Sequence, residues 1–215
     1  MTAMDRIAHF QGRRDEIPNQ RLARDLAARK DESGIREIVE GLSHSLPAVQ
    51  ADCVKVLYEV GYLDPKLVAG YVGDFLGLLA SKDNRLVWGG MTALSTVAGL
   101  RPKEIYDHRN EILQAMAGGS VITLDAAVLT LAVAAATSPA RRRGLLPHLM
   151  SHLSRCRPKD VPRHSEKILR AVDHASKAAF LRVLERRLPE LTSAQQARVR
   201  KVMRQVENLQ DRRPT

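Results

Sequence analysis

The sequence predicts an all-α chain, an α-solenoid of stacked antiparallel helix pairs with a period of 37 residues. The first observation behind this is the stretch Val72 to Pro102, in which two apolar helical patterns flank the polar turn Ser81-Lys82-Asp83-Asn84. Phe75, Leu76 and Leu79 share one face of the first helix, and Met91, Leu94 and Val97 share one face of the second. The second observation is recurrence. Displaced by 37 residues, Leu94 falls on Leu57, Leu131 and Ile168, and Leu79 on Leu42, Met116 and Leu153. Phe75 falls on Ile38, Ile112 and Leu149, Leu76 on Val39, Leu113 and Met150, and Pro102 on Pro65 and Pro139. Several columns in register at one period are the signature of stacked repeats, each of which buries its apolar face against its neighbours. Third, 44% of residues are hydrophobic but only 4% aromatic, so the core is built from Leu, Val, Ile, Ala and Met.

Taken in order, residues 1–34 are polar and outside the repeat columns, and read as an N-terminal cap with a helix from Pro18 through Leu22 and Leu26. The first repeat has Ile35, Ile38, Val39 and Leu42 on its first helix, then the turn His44-Ser45-Leu46. Pro47 suits the first turn of the second helix, which carries Val54, Leu57 and Val60. Asp64-Pro65 and Ser138-Pro139 read as N-caps followed by N1 prolines. In the third repeat, Gly118-Gly119-Ser120 ends one helix and caps the next, whose alanines, Ala126 to Ala136, make it apolar nearly all round. The fourth is the least regular, with Pro158 and Pro162 at its turn and Ile168 or Leu169 in the core column. Four repeats thus fill residues 35–175. Residues 176–215 supply capping helices, one striped by Phe180, Val183, Leu184 and Leu188. The other is striped by Val199, Val202, Val206 and Leu209 and opened by a Thr192/Gln195 capping box. Asp211 to Thr215 are expected to fray. With no linker or low-complexity segment, residues 1–215 read as one domain.

Cys53 and Cys156 fit no zinc or redox spacing and imply no disulfide framework, which suits a reducing cytoplasm. The first residues lack the apolar run of a secretory signal, and Ala126 to Ala136 is too short to span a bilayer, so no membrane partner is expected. Net charge is +10, unevenly spread. Residues 1–140 carry 15 Lys/Arg against 17 Asp/Glu, a net of −2, and residues 141–215 carry 19 against 7, a net of +12. Such asymmetry points to a polyanion or an acidic protein surface, and equally fits a solvated Arg-rich exterior.

The pattern Ile38-Val39-Glu40-Gly41-Leu42, a tight polar turn, then a helix from Val49 to Val60 resembles the HEAT repeat and its armadillo-type relatives, over residues 35–175. The arginine usual near the start of that family's second helix is replaced by Gln50, Val87 and Leu124, so the familiar Asp–Arg ladder is missing. The resemblance implies a right-handed superhelix with second helices on its concave side, most often used to bind proteins.

Trp88 and Asp125 hold the same repeat position, each six residues before its core leucine and about 120° round the helix from it. They are candidates for the concave face, on neighbouring helices within about 10 Å. An aromatic and a carboxylate there resemble the HEAT-like alkylpurine DNA glycosylases, but one tryptophan is fewer aromatics than those sites use. The reading adopted is a packed tryptophan and a solvated aspartate. His148, His152 and Cys156 recur at i, i+4 and i+8 with His164 nearby, on a stripe facing solvent or a neighbouring element. No carboxylate completes a ligand set, so surface histidines and no metal site are expected. Gly118-Gly119-Ser120 lacks the strand and lysine of a phosphate loop. No catalytic residues and no cofactor are expected.

The basic clusters are the strongest functional signal: Arg141, Arg142 and Arg143, then Arg155, Arg157 and Lys159, then Arg163, Lys167 and Arg170, with more at Arg186-Arg187 and from Arg198 to Arg204. Few aromatics interleave, which argues against base stacking and for contacts to phosphates or an acidic protein face. The expected function is a non-catalytic scaffold binding a protein through its concave face and basic C-terminal third; the alternative is a nucleic-acid-binding protein related to the glycosylases. Oligomeric state is not legible.

Overall fold

The computed structural model describes residues 2–209. Among them every regular element is helical, and no helix is long and apolar enough to cross a membrane. The segment Asp211 to Thr215, expected to fray, lies outside the described residues. Contacts group the chain into two compact units, the first running to Thr130 and the second beginning at Leu131.

In the first unit, α1 (Ile17–Arg29) opens with Pro18 in its first turn. It ends at Lys30, whose φ of 51° is left-handed, and the reversal leads into α2 (Glu32–Glu40). Asp31 caps α2 by accepting from the Gly34 N–H at 2.9 Å. A 3-10 turn, Gly41–Ser43, leads to α3 (Pro47–Leu63). After 3-10 turns at Pro65–Leu67 and Ala69–Tyr71 come α4 (Val72–Gly77), a further 3-10 turn (Leu78–Ala80) and α5 (Asn84–Val97). Asp83 caps α5 through the Arg85 N–H at 2.8 Å. Next come α6 (Pro102–Asp107), α7 (Arg109–Gly118) and α8 (Val121–Ala136), inside which the unit boundary falls. The Ser120 hydroxyl accepts from the Thr123 N–H at 3.2 Å, the cap expected there.

The period is visible in these boundaries. The second helices start at Pro47, Asn84 and Val121, a spacing of 37 each time, and the 3-10 turns that end the first two first-helices start at Gly41 and Leu78, again 37 apart. Leu57, Leu94, Leu131 and Ile168 are all fully buried, as are Ile38, Phe75, Ile112 and Leu149. In the other first-helix columns Leu79, Leu113 and Met150 are only half-buried, while Leu78, next to Leu79, is buried. The most extensive packing in the unit is of α3 against α1 and α5. α1 and α5 thus both pack along α3. Two glycines allow the α3–α5 approach. A Cβ on Gly61 would lie 2.2 Å from Thr96 Oγ1, and one on Gly89 would lie 2.7 Å from Val54 Cγ1.

The second unit begins in α8 and continues with α9 (Pro139–Leu153), capped by the Ser138 hydroxyl accepting from Arg141 N–H. The fourth pair departs from the period: Pro158–Asp160 form a 3-10 turn, and α10 (Val161–Ile168) starts three residues late, with Pro162 in its first turn. The core column is nevertheless Ile168, fully buried, while Leu169 is only partly so. A 3-10 turn (Leu169–Ala171) leads to α11 (His174–Arg187), opened by an Asp173/Ser176 capping box, and α12 (Ser193–Glu207) opens with the Thr192/Gln195 box. Phe180 and Leu184 on α11 and Val199, Val202 and Val206 on α12 are buried.

Candidate binding faces and a histidine–cysteine cluster

In the first unit, one side of α3 carries Lys55, Tyr58, Glu59 and Tyr62, residues three and four apart and hence neighbours on a helix surface. The Tyr58 ring meets Tyr62 edge-on at 5.9 Å and Trp88, from α5, at 6.0 Å between centroids. Lys55 Nζ lies 4.8 Å from the Tyr58 centroid and ion-pairs with Glu16 at 2.8 Å and Glu59 at 2.7 Å. Burial opposes the charged form of this lysine, but the two carboxylates outweigh it and raise its pKa above the ordinary value. Burial also raises the Tyr58 and Tyr62 phenols. Tyr62 is 59% exposed and Trp88 partly exposed, over a buried Tyr58. Trp88 is thus packed on one edge and open on another. Asp125 on α8 is partly exposed, and its charge reaches the Tyr62 phenol. The sequence reading nominated Trp88 and Asp125 but missed Tyr58 and Tyr62. Their i, i+4 spacing on a second helix was the available signal. An open cleft of about 950 Å³ lies elsewhere in this unit, lined by Leu76, Leu79, Lys82, Asn84, Val87 and Gln114 among others.

The structure separates the nominated cations of the second unit into two kinds. Arg142 donates from Nε to the Ala171 carbonyl at 2.9 Å and from Nη1 to Asp173 at 2.9 Å, so it ties α9 to the start of α11. Arg157 and Arg163 both pair with the buried carboxylate of Asp160. Arg155 donates to the Ser151 carbonyl and hydroxyl, and Arg141 to Thr137 and Ser138. Arg143, Lys159 and Arg170 are exposed and Lys167 is half-buried, while on α11 and α12 Arg186, Arg200, Lys201 and Arg204 are exposed. Arg187 is buried instead, donating to the carbonyls of Leu153 and Cys156 at 2.7 and 2.6 Å.

His148 is exposed and apart, but His152 turns toward α10. Its Nε2 lies 3.0 Å from Nδ1 of His164, which is fully buried. With Cys156 these residues bring three ligand-type atoms within 4.8 Å of one another. Burial, with the adjacent His164, pushes the His152 imidazole down to about 4. Burial raises the Cys156 thiol against the opposing pull of Arg187. The expected surface histidines are therefore half right: the stripe faces a neighbouring helix, and the third partner is His164, not His148.

The fold defined by these helix pairs is the HEAT/armadillo-type α-solenoid. No protein-family model and no curated protein sequence matches the chain. Solved structures do. An engineered protein aligns with a TM-score of 0.68 at 17% identity, over 96% of this chain and 97% of that one. A designed armadillo repeat protein in complex with the peptide (KR)4 aligns at 0.66 and 14% identity, over 91% and 95%. The karyopherin Kap121p bound to the SUMO protease Ulp1p aligns at 0.64 and 12% identity, over 93% of this chain and 22% of the karyopherin.

Proposed function

We propose that the chain is a non-catalytic scaffold that binds a segment of another protein along the α3–α5 face of its first unit. The observation that carries this is the Tyr58–Tyr62–Trp88 cluster, an aromatic patch partly exposed and rimmed by Glu16, Glu59, Lys55 and Asp125. Aromatic anchors of this kind, apolar on the face and polar at the edge, dominate recognition surfaces. With three carboxylates against one ammonium, the rim suits a partner side chain that is cationic, able to stack on Tyr62 or Trp88. Support comes also from the similar folds, one in complex with a Lys-Arg peptide and one bound to a protein. The second unit, with its net of +12, would add an attraction for acidic parts of the same partner. A nucleic-acid partner is the competing reading, favoured by the exposed Arg143, Arg186, Arg200, Lys201 and Arg204.

Trp88 is the sole tryptophan, so its emission reports this face directly. Titrating a Lys-Arg repeat peptide should change that emission saturably, and Tyr62→Ala should abolish the change. An acidic peptide should leave it unaltered. Duplex DNA binding with a steep log–log salt slope, flattened by Arg143→Ala and Arg200→Ala while the peptide does nothing, would replace this reading with the nucleic-acid one.

A further inference from the structure

We propose that His152, Cys156 and His164 form a zinc site that clasps the end of α9 to α10, with a water completing the tetrahedron. Both side chains from the α9 end project the same way. His152 and Cys156 are four residues apart, and the Cys156 N–H still bonds the His152 carbonyl at 2.8 Å, so the helical turn persists just past Leu153. His164 comes from the following helix, fully buried, and points its Nδ1 at His152 Nε2 across 3.0 Å. Two imidazoles and a thiol are the borderline-to-soft donors that zinc prefers over magnesium or calcium.

Distances agree with this. Around a tetrahedral zinc, with metal–nitrogen bonds near 2.0–2.1 Å and a metal–sulfur bond near 2.3 Å, ligand atoms sit about 3.3–3.6 Å apart. Here they lie between 3.0 Å and at most 4.8 Å from one another, so adjustments on the order of 1 Å by side-chain rotation close the set. Arg187 holds the backbone of the turn, donating to the carbonyls of Leu153 and Cys156 at 2.7 and 2.6 Å, and is itself anchored by Glu190. Such outer contacts orient ligands. The nearby carboxylate of Asp160 is already held by Arg157 and Arg163, which leaves the fourth position to solvent. The clasp falls at the pair where the period slips and Pro158 and Pro162 crowd the turn.

The test uses the full chain, reduced, stripped with a chelator and titrated with zinc against a chromophoric competitor. One equivalent should bind. Cys156→Ser and His152→Gln should each weaken binding at least about 10-fold, and His148→Gln should change nothing. Cobalt in place of zinc should give tetrahedral d–d bands and a thiolate-to-metal charge-transfer band in the wild type. Zinc should also protect Cys156 from alkylation. The last two readouts need no variant, so a misfolded mutant cannot obscure the answer. Failure of the wild type to take up one equivalent, or a cobalt spectrum without the thiolate band, would overturn the proposal. So would binding lost in His148→Gln.

Discussion

Adding one methyl group at Gly61 and the same group at Gly77 should have opposite effects on stability. Both residues lie in helical backbone, Gly61 within α3 and Gly77 at the end of α4 with φ −57° and ψ −34°. Glycine in a helix costs up to about 1 kcal/mol relative to alanine, so propensity favours both substitutions. At Gly77 nothing lies within 4 Å of a new Cβ, and Gly77→Ala should stabilise by about 0.4–1 kcal/mol. At Gly61 the Cβ would stand 2.2 Å from Thr96 Oγ1 and 2.9 Å from Thr96 Cβ. Rotating the hydroxyl away would sacrifice its 2.7 Å bond to the Ala93 carbonyl, worth about 0.5–1.5 kcal/mol. The Thr96 Cβ has no rotamer, so α3 and α5 must also part. Overpacking of this sort costs about 1–3 kcal/mol, which exceeds the propensity gain and leaves a net loss of about 1–2 kcal/mol. Urea melts of the two variants measure this, and Thr96→Ala in the Gly61→Ala background should recover part of the loss as a coupling energy. A Gly61→Ala protein as stable as wild type would refute the close α3–α5 approach. Equal losses at both glycines would show that local contacts do not set the sign.

Leu94, fully buried in the column shared with Leu57, Leu131 and Ile168, should lose about 2–5 kcal/mol on truncation to alanine. Leu100→Ala, at a 45% exposed position, should change stability by no more than about 0.5 kcal/mol in the same chemical melt. Asp173 offers a test by pH. Burial alone would raise its carboxyl, but hydrogen bonds from Ser176 and the guanidinium of Arg142 outweigh this and hold it below the usual value. A depressed carboxylate stabilises the fold above its unfolded pKa, about 3.9, and that contribution fades as pH falls toward the folded value. Urea melts from about pH 5 down to about pH 3 should therefore show stability falling with acid, and Asp173→Asn should be less stable than wild type at neutral pH with a flatter acid limb.

The sequence alone determined the architecture because repeats advertise themselves. Leu57, Leu94, Leu131 and Ile168 recur at one spacing, each must be apolar, and all four are buried. Local signals were equally legible where they act over two or three residues, as in the Thr192/Gln195 box and the Asp64 and Ser138 caps. What the tertiary structure decided is which residues from different helices meet. No spacing rule links Tyr58 and Tyr62 on α3 to Trp88 on α5; they meet because Gly61 and Gly89 let the two helices close up. Charge on a sequence does not say whether a cation is free, and three of the nominated arginines, Arg142, Arg157 and Arg163, are held by Asp173 and Asp160. His164 is the clearest case. Its partners lie at the end of α9 and in the turn just past it, and the slipped start of α10 after the Pro158–Asp160 turn sets where its ring falls. A shift of that kind depends on how the turn packs, so only the folded chain shows His164, and not His148, beside His152.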